Sequence, residues 1–210
     1  MKIAILGAGN VGGALGTKLA QAGHEICYGV RDQNAPDLTA LLARSNGRAK
    51  AASPEDAVRF GEVIVNALPW PAVGKVIPSL DLKDKVLLDC TNPMTADFSA
   101  LEVGTTSSGG ELVAQWAPGA KVVKIFNSTG SNNMEDPHYQ GRPVPIFYCG
   151  DDTAAKTLAA KLAADVGFDP MDAGPLANAR LLEPYALLWV WLAFHSGMGR
   201  EFAFQIVRRS

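Results

Sequence analysis

The sequence predicts a doubly wound α/β fold: a mostly parallel sheet, helices on both faces and a short helical addition at the C-terminus. Three observations predict it. The chain opens on an apolar run, Lys2-Ile3-Ala4-Ile5-Leu6, that leads straight into Gly7-Ala8-Gly9-Asn10-Val11-Gly12-Gly13. Apolar runs then alternate with helical patterns along most of the 210 residues, as in consecutive βαβ units. Near the end, residues 181–194 form a strongly apolar segment whose spacing is helical.

The elements follow in order. Residues 2–6 read as a central strand. Residues 11–22 read as a helix with Val11, Leu15 and Leu19 on one face, closed by Gly23-His24. Residues 25–30 are the second strand and residues 35–43 the second helix. Ser53-Pro54-Glu55-Asp56 starts a short third helix, with Ser53 as cap and proline at the first helical position. Strands are predicted over residues 62–68, 85–89, 121–126, 143–149 and 168–172. Helices are predicted near 110–115 and over 151–166, the latter capped by Asp151 or Asp152 and stopped by Gly167. Residues 104–110 read as a flexible loop beside the site, and no repeat or interdomain linker interrupts the chain. One domain over 1–210 is expected, with residues 173–210 as its helical extension.

Strand, G-x-G-x-x-G and helix in this order form a dinucleotide-binding fingerprint, which makes the expected fold a Rossmann fold. Gly7 permits the tight turn, Gly9 lets backbone approach a pyrophosphate, and Gly12 lets helix and strand pack closely. Ala8, Asn10 and Val11 complete the turn and the helix N-terminus, whose free N–H groups favour an anion. Folds of this kind usually carry an acid at the end of the second strand to bind the adenosine ribose. Here the position holds Arg31, followed by Asp32. A guanidinium takes a 2′-phosphate bidentately, so the cofactor expected is NADP(H) rather than NAD. Asp32 either contacts a ribose hydroxyl or pairs with Arg31.

Composition bounds the partners. The hydrophobic share of 48% supports a substantial core, and a formal charge of −2 argues against a nucleic-acid surface. Cys27, Cys90 and Cys149 form no C-x-x-C pair and read as buried thiols of a reducing compartment, with Cys90 nearest the site. The apolar start runs into a glycine turn rather than a cleavage site, and residues 181–194 are too few to span a bilayer. A cytoplasmic protein without membrane insertion is expected.

Ligands in such sheets lie outside the carboxyl ends of the strands. Gathered there are the glycine turn, Arg31, Leu68-Pro69-Trp70, Thr91-Asn92-Pro93 and Asn127-Ser128-Thr129. Leu68 and Pro69 offer an apolar wall beside the nicotinamide ribose. Asn92 and Asn127 are candidates to bond a carboxamide or substrate carbonyl, or else cap their own loops as Asx-turns. Trp70 either covers a flat ring or packs at a helix start. No carboxylate pair, Ser-His-Asp set or metal-ligand cluster falls at these ends, and His138 and His195 lie elsewhere.

With these stretches in view, the chain resembles the NADP oxidoreductases that depend on the deazaflavin coenzyme F420, and the related N-terminal domains of membrane ferric reductases. The resemblance rests on the glycine turn, Gly23-His24-Glu25, Gly29-Val30-Arg31, Ala67-Leu68-Pro69-Trp70 and Cys149-Gly150-Asp151-Asp152. Its most distinctive part is Asp172-Ala173-Gly174-Pro175-Leu176, running on through Asn178-Ala179-Arg180-Leu181 to Glu183. It implies NADPH as one partner of a hydride transfer, and F420, a flavin or another two-electron acceptor as the second. Asn127 falls where the F420 enzymes carry a histidine. Ala8 and Val30 replace hydroxyl residues around the 2′-phosphate, leaving Arg31 as its main contact. Hydride exchange between two stacked rings needs placement more than a proton donor. Two other readings stay open, a non-catalytic NADP(H)-binding redox sensor and a small-metabolite dehydrogenase or imine reductase. The wide apolar surface of residues 181–194 either packs on its own sheet or makes a homodimer.

Overall fold

Alternation along the first strand decides how the molecule is layered. β1 (Lys2–Leu6) turns Ile3 and Ile5 to one face and Ala4 and Leu6 to the other. Both faces must therefore be covered, which is the situation of a buried parallel sheet. The computed structural model, which describes residues 1–209, shows this covering on both sides.

After β1 come α1 (Asn10–Gln21), β2 (Glu25–Gly29), α2 (Pro36–Ala43), β3 (Ala49–Ala52), α3 (Pro54–Phe60) and β4 (Val63–Asn66). The second half holds α4 (Trp70–Val76), β5 (Val86–Asp89), α5 (Gly109–Trp116), β6 (Lys121–Lys124), α6 (Ser131–Glu135) and the small hairpin β7 (His138–Tyr139) and β8 (Arg142–Pro143). β9 (Pro145–Gly150), α7 (Thr153–Val166), β10 (Asp169–Asp172) and α8 (Ala179–Phe194) complete it. The sheet order is β10-β9-β6-β5-β4-β1-β2-β3. From β3 to β6 all neighbours are parallel, whereas β9 pairs antiparallel with β6 and carries β10 parallel beside it. The connection from β6 to β9 passes through a five-residue helix and the hairpin, not a full crossover, so the chain returns reversed.

Leu6 of β1, Asn66 of β4, Asp89 of β5 and Lys124 of β6 are level neighbours in the register. The carboxyl ends of the central strands thus finish on a polar row inside the protein. Asn66 Nδ2 donates to Asp89 Oδ1 at 3.0 Å, and Lys124 Nζ lies 2.9 Å from Asp89 Oδ2. Lys124 is fully buried, and its second carboxylate, Glu183 at 2.7 Å, comes from α8. Glu183 also accepts from the N–H groups of Gly109 and Gly110 at the start of α5, each at 2.9 Å. Burial alone would push the Lys124 ammonium pKa down, but the two carboxylates together hold it above the ordinary 10.5.

The distinctive stretch from Asp172 to Glu183 is explained by this docking. Asp172 pairs with Lys156 at 2.8 Å, Asn178 Nδ2 donates to Ala173 O, and Arg180 makes a two-pronged contact with Glu111 of α5. Arg180 fastens α8 to α5, Asp172 ties β10 to α7 and Asn178 closes the turn that leads into α8; none of them touches the glycine turn.

Several details differ from the sequence-based expectation. The extension 173–210 is helical only over Ala179–Phe194 apart from one 3-10 turn, and residues 195–209 run back over α8 without regular structure. There Phe202 stacks on Trp189 with centroids 5.3 Å apart, and Phe204 packs on Tyr185 at 4.7 Å. Pro184, whose places open from the sequence were the first turn of this helix or a kink within it, lies inside α8. Leu182, Ala186, Trp189 and Ala193 make the buried face, and Leu181, Leu188, Trp191 and Phe194 remain exposed. Asp152 caps α7, while Asp151 accepts from Leu176 N. The last residues of the expected loop 104–110 open α5, where Ser108 is the cap. Among the described residues no helix is long and apolar enough to cross a membrane, and no cluster of metal-ligating side chains occurs.

Lys124→Met would leave Asp89 and Glu183 buried without their cation, a loss of about 3–5 kcal/mol in urea denaturation. Because the folded-state pKa of Lys124 is raised, its contribution is complete below 10.5 and lost as pH climbs through the higher folded value. Circular dichroism along an alkaline titration should show an unfolding step above that value, absent from the Lys124→Met protein.

Candidate functional site

The glycine turn is built by collision and by open space. Gly7 has φ +97°, and a Cβ there would stand 2.8 Å from Ala67 O. A Cβ on Gly12 would stand 2.1 Å from Gly7 O, so α1 can approach β1 only without a side chain. At Gly9 the same Cβ would meet nothing within 4 Å. That position faces empty space in front of the N-terminus of α1. The first intrahelical bond there is Gly13 N–H to Gly9 O at 2.7 Å, so the N–H groups of Asn10, Val11 and Gly12 have no carbonyl within the helix. Ala8 packs against the core and lines neither cavity described below.

Two cavities flank this turn and share Leu68 and Pro69, the residues that join β4 to α4. The first, about 460 Å³, runs from Gly7 over Val30 and Arg31 to Ala72 and Lys75 of α4. Its walls are mostly apolar, with the two cations at the rim. Arg31 is exposed and has no ion-pair partner among the described residues. Asp32 does not pair with it, because its carboxylate accepts from Asn34 N at 2.9 Å and closes its own turn. Lys75 was not anticipated, although Pro71 just after Trp70 is a usable signal that a helix starts there.

The second cavity, about 550 Å³, lies over the ends of β4, β5 and β6. Asn10, Val11 and Ala67 border it on the turn side, and Trp70, Asn92 and Asn127 all reach it. The two asparagines hold each other. Asn92 Nδ2 donates to Asn127 O at 2.8 Å, and Asn127 Nδ2 donates to Asn92 Oδ1 at 3.0 Å and to Leu182 O of α8 at 3.2 Å. This consumes the donors of Asn127 and leaves its buried Oδ1 without a partner. An orphan acceptor at 4% exposure in a cavity wall is a costly arrangement unless something donates to it. Phe126, just before it, is a buried residue with φ +62°, a strained backbone that turns the chain out of β6.

Of the two roles considered for Trp70, packing at a helix start is the one seen. Its ring packs on Trp116 with centroids 5.7 Å apart, its Nε1–H donates to Glu102 at 3.0 Å, and it still borders the cavity. Glu102 and Phe98 come from the loop between β5 and α5, while Trp189, Phe194 and Arg200 come from the C-terminal segment. None of these five was singled out as a site residue from the sequence, because they lie far from the strand ends along the chain. Burial pushes the Cys90 thiol well above its ordinary value, which disfavours the thiolate form that a nucleophile needs. No histidine, lysine or tyrosine lines this cavity.

Comparison with known proteins bears on the family and the fold. The family described as NADP oxidoreductase, coenzyme F420-dependent, matches residues 2–93. The F420-dependent NADP reductase of Methanothermobacter marburgensis is 30% identical over 200 residues, covering 87% of this chain and 88% of that protein. The metalloreductase STEAP3 of Rattus norvegicus is 33% identical over 193 residues, 90% of this chain, but this chain spans only 38% of STEAP3. A crystal structure from Arthrobacter sp. FB24, assigned as an F420-dependent NADP-reductase, superposes with a TM-score of 0.85 at 30% identity. It covers 99% of this chain and 100% of that one.

The two glycines of the turn should separate in a thermal melt. Gly12→Ala forces backbone apart and should cost about 3 kcal/mol or more. Gly9→Ala enters open space at a negative φ and should melt within about 1–2 °C of the parent.

Proposed function

The chain belongs to the family of coenzyme F420-dependent NADP oxidoreductases, and from that premise we propose that it transfers hydride between NADP(H) and a planar two-electron acceptor. The observation that carries the proposal is the pair of cavities meeting at Leu68 and Pro69 around the N-terminus of α1. In this reading the adenosine half of NADPH occupies the 460 Å³ cavity, with Arg31 on the 2′-phosphate. The diphosphate lies against Gly9 and the free N–H groups of Asn10, Val11 and Gly12. The 550 Å³ cavity would hold the nicotinamide, and Asn127, whose Oδ1 lacks a donor, would accept from its carboxamide. Ala67, Leu68 and Pro69 wall one side of the nicotinamide ribose.

The bound pair supplies the chemistry: NADPH gives a hydride from the nicotinamide to the acceptor ring, one proton from solvent completes the reduction, and NADP⁺ remains. The protein's part is to bind, orient and exclude water. Asn92 fixes the amide plane of Asn127, and Trp70, Phe98, Trp189 and Phe194 offer apolar and aromatic surface for a second ring. Among the described residues no histidine, lysine or tyrosine lines the cavity and its one carboxylate, Glu102, is engaged by Trp70 Nε1, which favours ring-to-ring transfer over a small-metabolite dehydrogenase. The acceptor proposed is a deazaflavin such as F420 or a flavin. The exposed face of α8, with Leu181, Leu188 and Trp191, is proposed as the contact of a homodimer.

Arg31→Ala should weaken NADPH binding about 10- to 100-fold while changing NADH binding less than about twofold, measured by fluorescence titration. Equal losses would refute the assignment of Arg31. Stopped-flow oxidation of bound NADPH against F420, FMN, quinones and ferric chelates tests the reaction itself. Tight NADPH binding with no turnover on the whole panel would leave a binding module in place of an enzyme.

A further inference from the structure

We propose that Arg200 anchors the acceptor, its guanidinium binding an anionic group that the acceptor carries outside its ring. The inference rests on the preceding reading of the 550 Å³ cavity as the place where nicotinamide and acceptor meet. Arg200 is the one lysine or arginine lining that cavity among the described residues.

The segment carrying Arg200 has no regular structure, yet its backbone is held on both sides of the residue. Asn132 Nδ2 donates to Arg200 O at 2.8 Å. Two residues on, Phe202 O accepts from Asn133 Nδ2 at 2.8 Å and from Trp189 Nε1 at 3.3 Å, and the Phe202 ring stacks on Trp189. Asn133 is itself fixed by Tyr139 Oη, which donates to its Oδ1 at 2.6 Å, and by its own bond to Thr129 Oγ1 at 2.8 Å. Ordering an irregular tail costs conformational entropy, and these side-chain amides offset it at this one place. Docking of α8 does not need them, since Arg180 and Glu183 already supply it.

What the tail presents is a guanidinium with spare donors. Arg200 Nη2 donates to Ser131 Oγ at 3.1 Å, and no carboxylate pairs with Arg200 among the described residues. The adjacent Glu201 carboxylate is turned to Asn132 Nδ2 at 3.2 Å. A guanidinium has five N–H donors in a planar fork, so a phosphate or carboxylate can still be taken bidentately. The one carboxylate of the cavity, Glu102, is held at Trp70. The cavity therefore orients a molecule with an anion toward Arg200 and Ser131 and a ring among the aromatic walls. The cofactor diphosphate is a second source of anion, because Asn10 and Val11 border the same space. The test must separate the two.

FMN and riboflavin share one ring system and differ by the terminal phosphate. Each is titrated, by quenching of flavin fluorescence, onto the full chain saturated with NADP⁺. FMN should bind about tenfold or more tighter than riboflavin, the scale of one charge-assisted contact. Arg200→Ala should bring that ratio to about one, and Arg200→Lys should retain part of it, while NADPH affinity changes less than about twofold. A ratio near one in the parent, a ratio untouched by Arg200→Ala, or no binding of either flavin overturns the proposal. A released tail would weaken both flavins alike and leave the ratio standing, which also overturns it. Loss of NADPH affinity matching that of FMN would assign Arg200 to the cofactor instead. Failure of both flavins to oxidise NADPH, with the phosphate-dependent ratio intact, would count against the redox reading and not against Arg200.

Discussion

The buried ammonium of Lys124 is the interaction on which the site's shape depends. It joins three parts of the chain that share no local sequence signal: Asp89 on β5, Lys124 on β6 and Glu183 on α8. Two carboxylates against one ammonium would leave net negative charge in the interior. The N-terminus of α5 offsets it, through the N–H groups of Gly109 and Gly110 and the positive end of the helix dipole. Such an arrangement adds little stability relative to an apolar core, but it accepts only one geometry. The consequence reaches both walls of the larger cavity. Lys124 Nζ and Asp89 Oδ1 hold Thr91 by its carbonyl, its N–H and its hydroxyl, which sets where Asn92 begins. Glu183 seats α8 so that the neighbouring Leu182 carbonyl meets Asn127.

Asn127 is the point where these constraints converge. Its amide is locked from three directions, by Asn92, by Leu182 and by the positive-φ backbone of Phe126. Phe126 is tolerated in that conformation because it is buried and packs against Phe168 at 6.0 Å, so the surrounding core over-determines it. With both N–H groups engaged, the free acceptor is necessarily Oδ1. Aspartate in its place would lose those donors and set a charge in a wall built for a neutral amide. A histidine there, as in the F420 enzymes that the sequence resembles, would bring a titratable nitrogen to the same spot. This chain has instead an acceptor that does not titrate. On the proposed reading, that difference bears on how the rings would be oriented, not on whether a cofactor is held.

Legibility in the sequence followed the range of the interactions. Gly7, Gly9 and Gly12 were readable because their jobs are settled within ten residues, by a turn, a cap and one helix contact. β1, α1, β2 and α7 were readable from periodicity. β3 was missed because Ala49-Lys50-Ala51-Ala52 has none of the branched or aromatic residues that mark a strand; it forms by pairing along β2. α6 and the β7–β8 hairpin were missed because each is short and begins in loop-like composition, and α4 entered only as the helix start considered at Trp70. The stretch from Asp172 to Glu183 was conspicuous, but its meaning was not legible: its charges are partners to Lys156, Glu111 and Lys124, residues remote in sequence. Lys75 and Arg200 carried little signal: a cation near the chain end, such as Arg200, can face an anionic ligand group or solvent, and a lone cation on a helix or tail is ordinarily a solvated one.

The same division runs through the site and accounts for what kind of knowledge each half yields. The part proposed for the cofactor is made of backbone: glycine turns, helix N–H groups and strand ends, which any chain of this topology must place in about the same positions. The part proposed for the acceptor is made of side chains from the loop between β5 and α5 and from the tail after α8, brought together only by tertiary packing. The loop is long for a compact fold, and loops of that length are commonly functional. It holds Phe98 at φ +58°, an exposed aromatic on strained backbone at the cavity's edge. Changes in these two segments alter the cavity without disturbing the sheet, the turn or the Lys124 cluster. On the proposed reading, acceptor choice is therefore free to vary where the physical constraints on sequence are weakest.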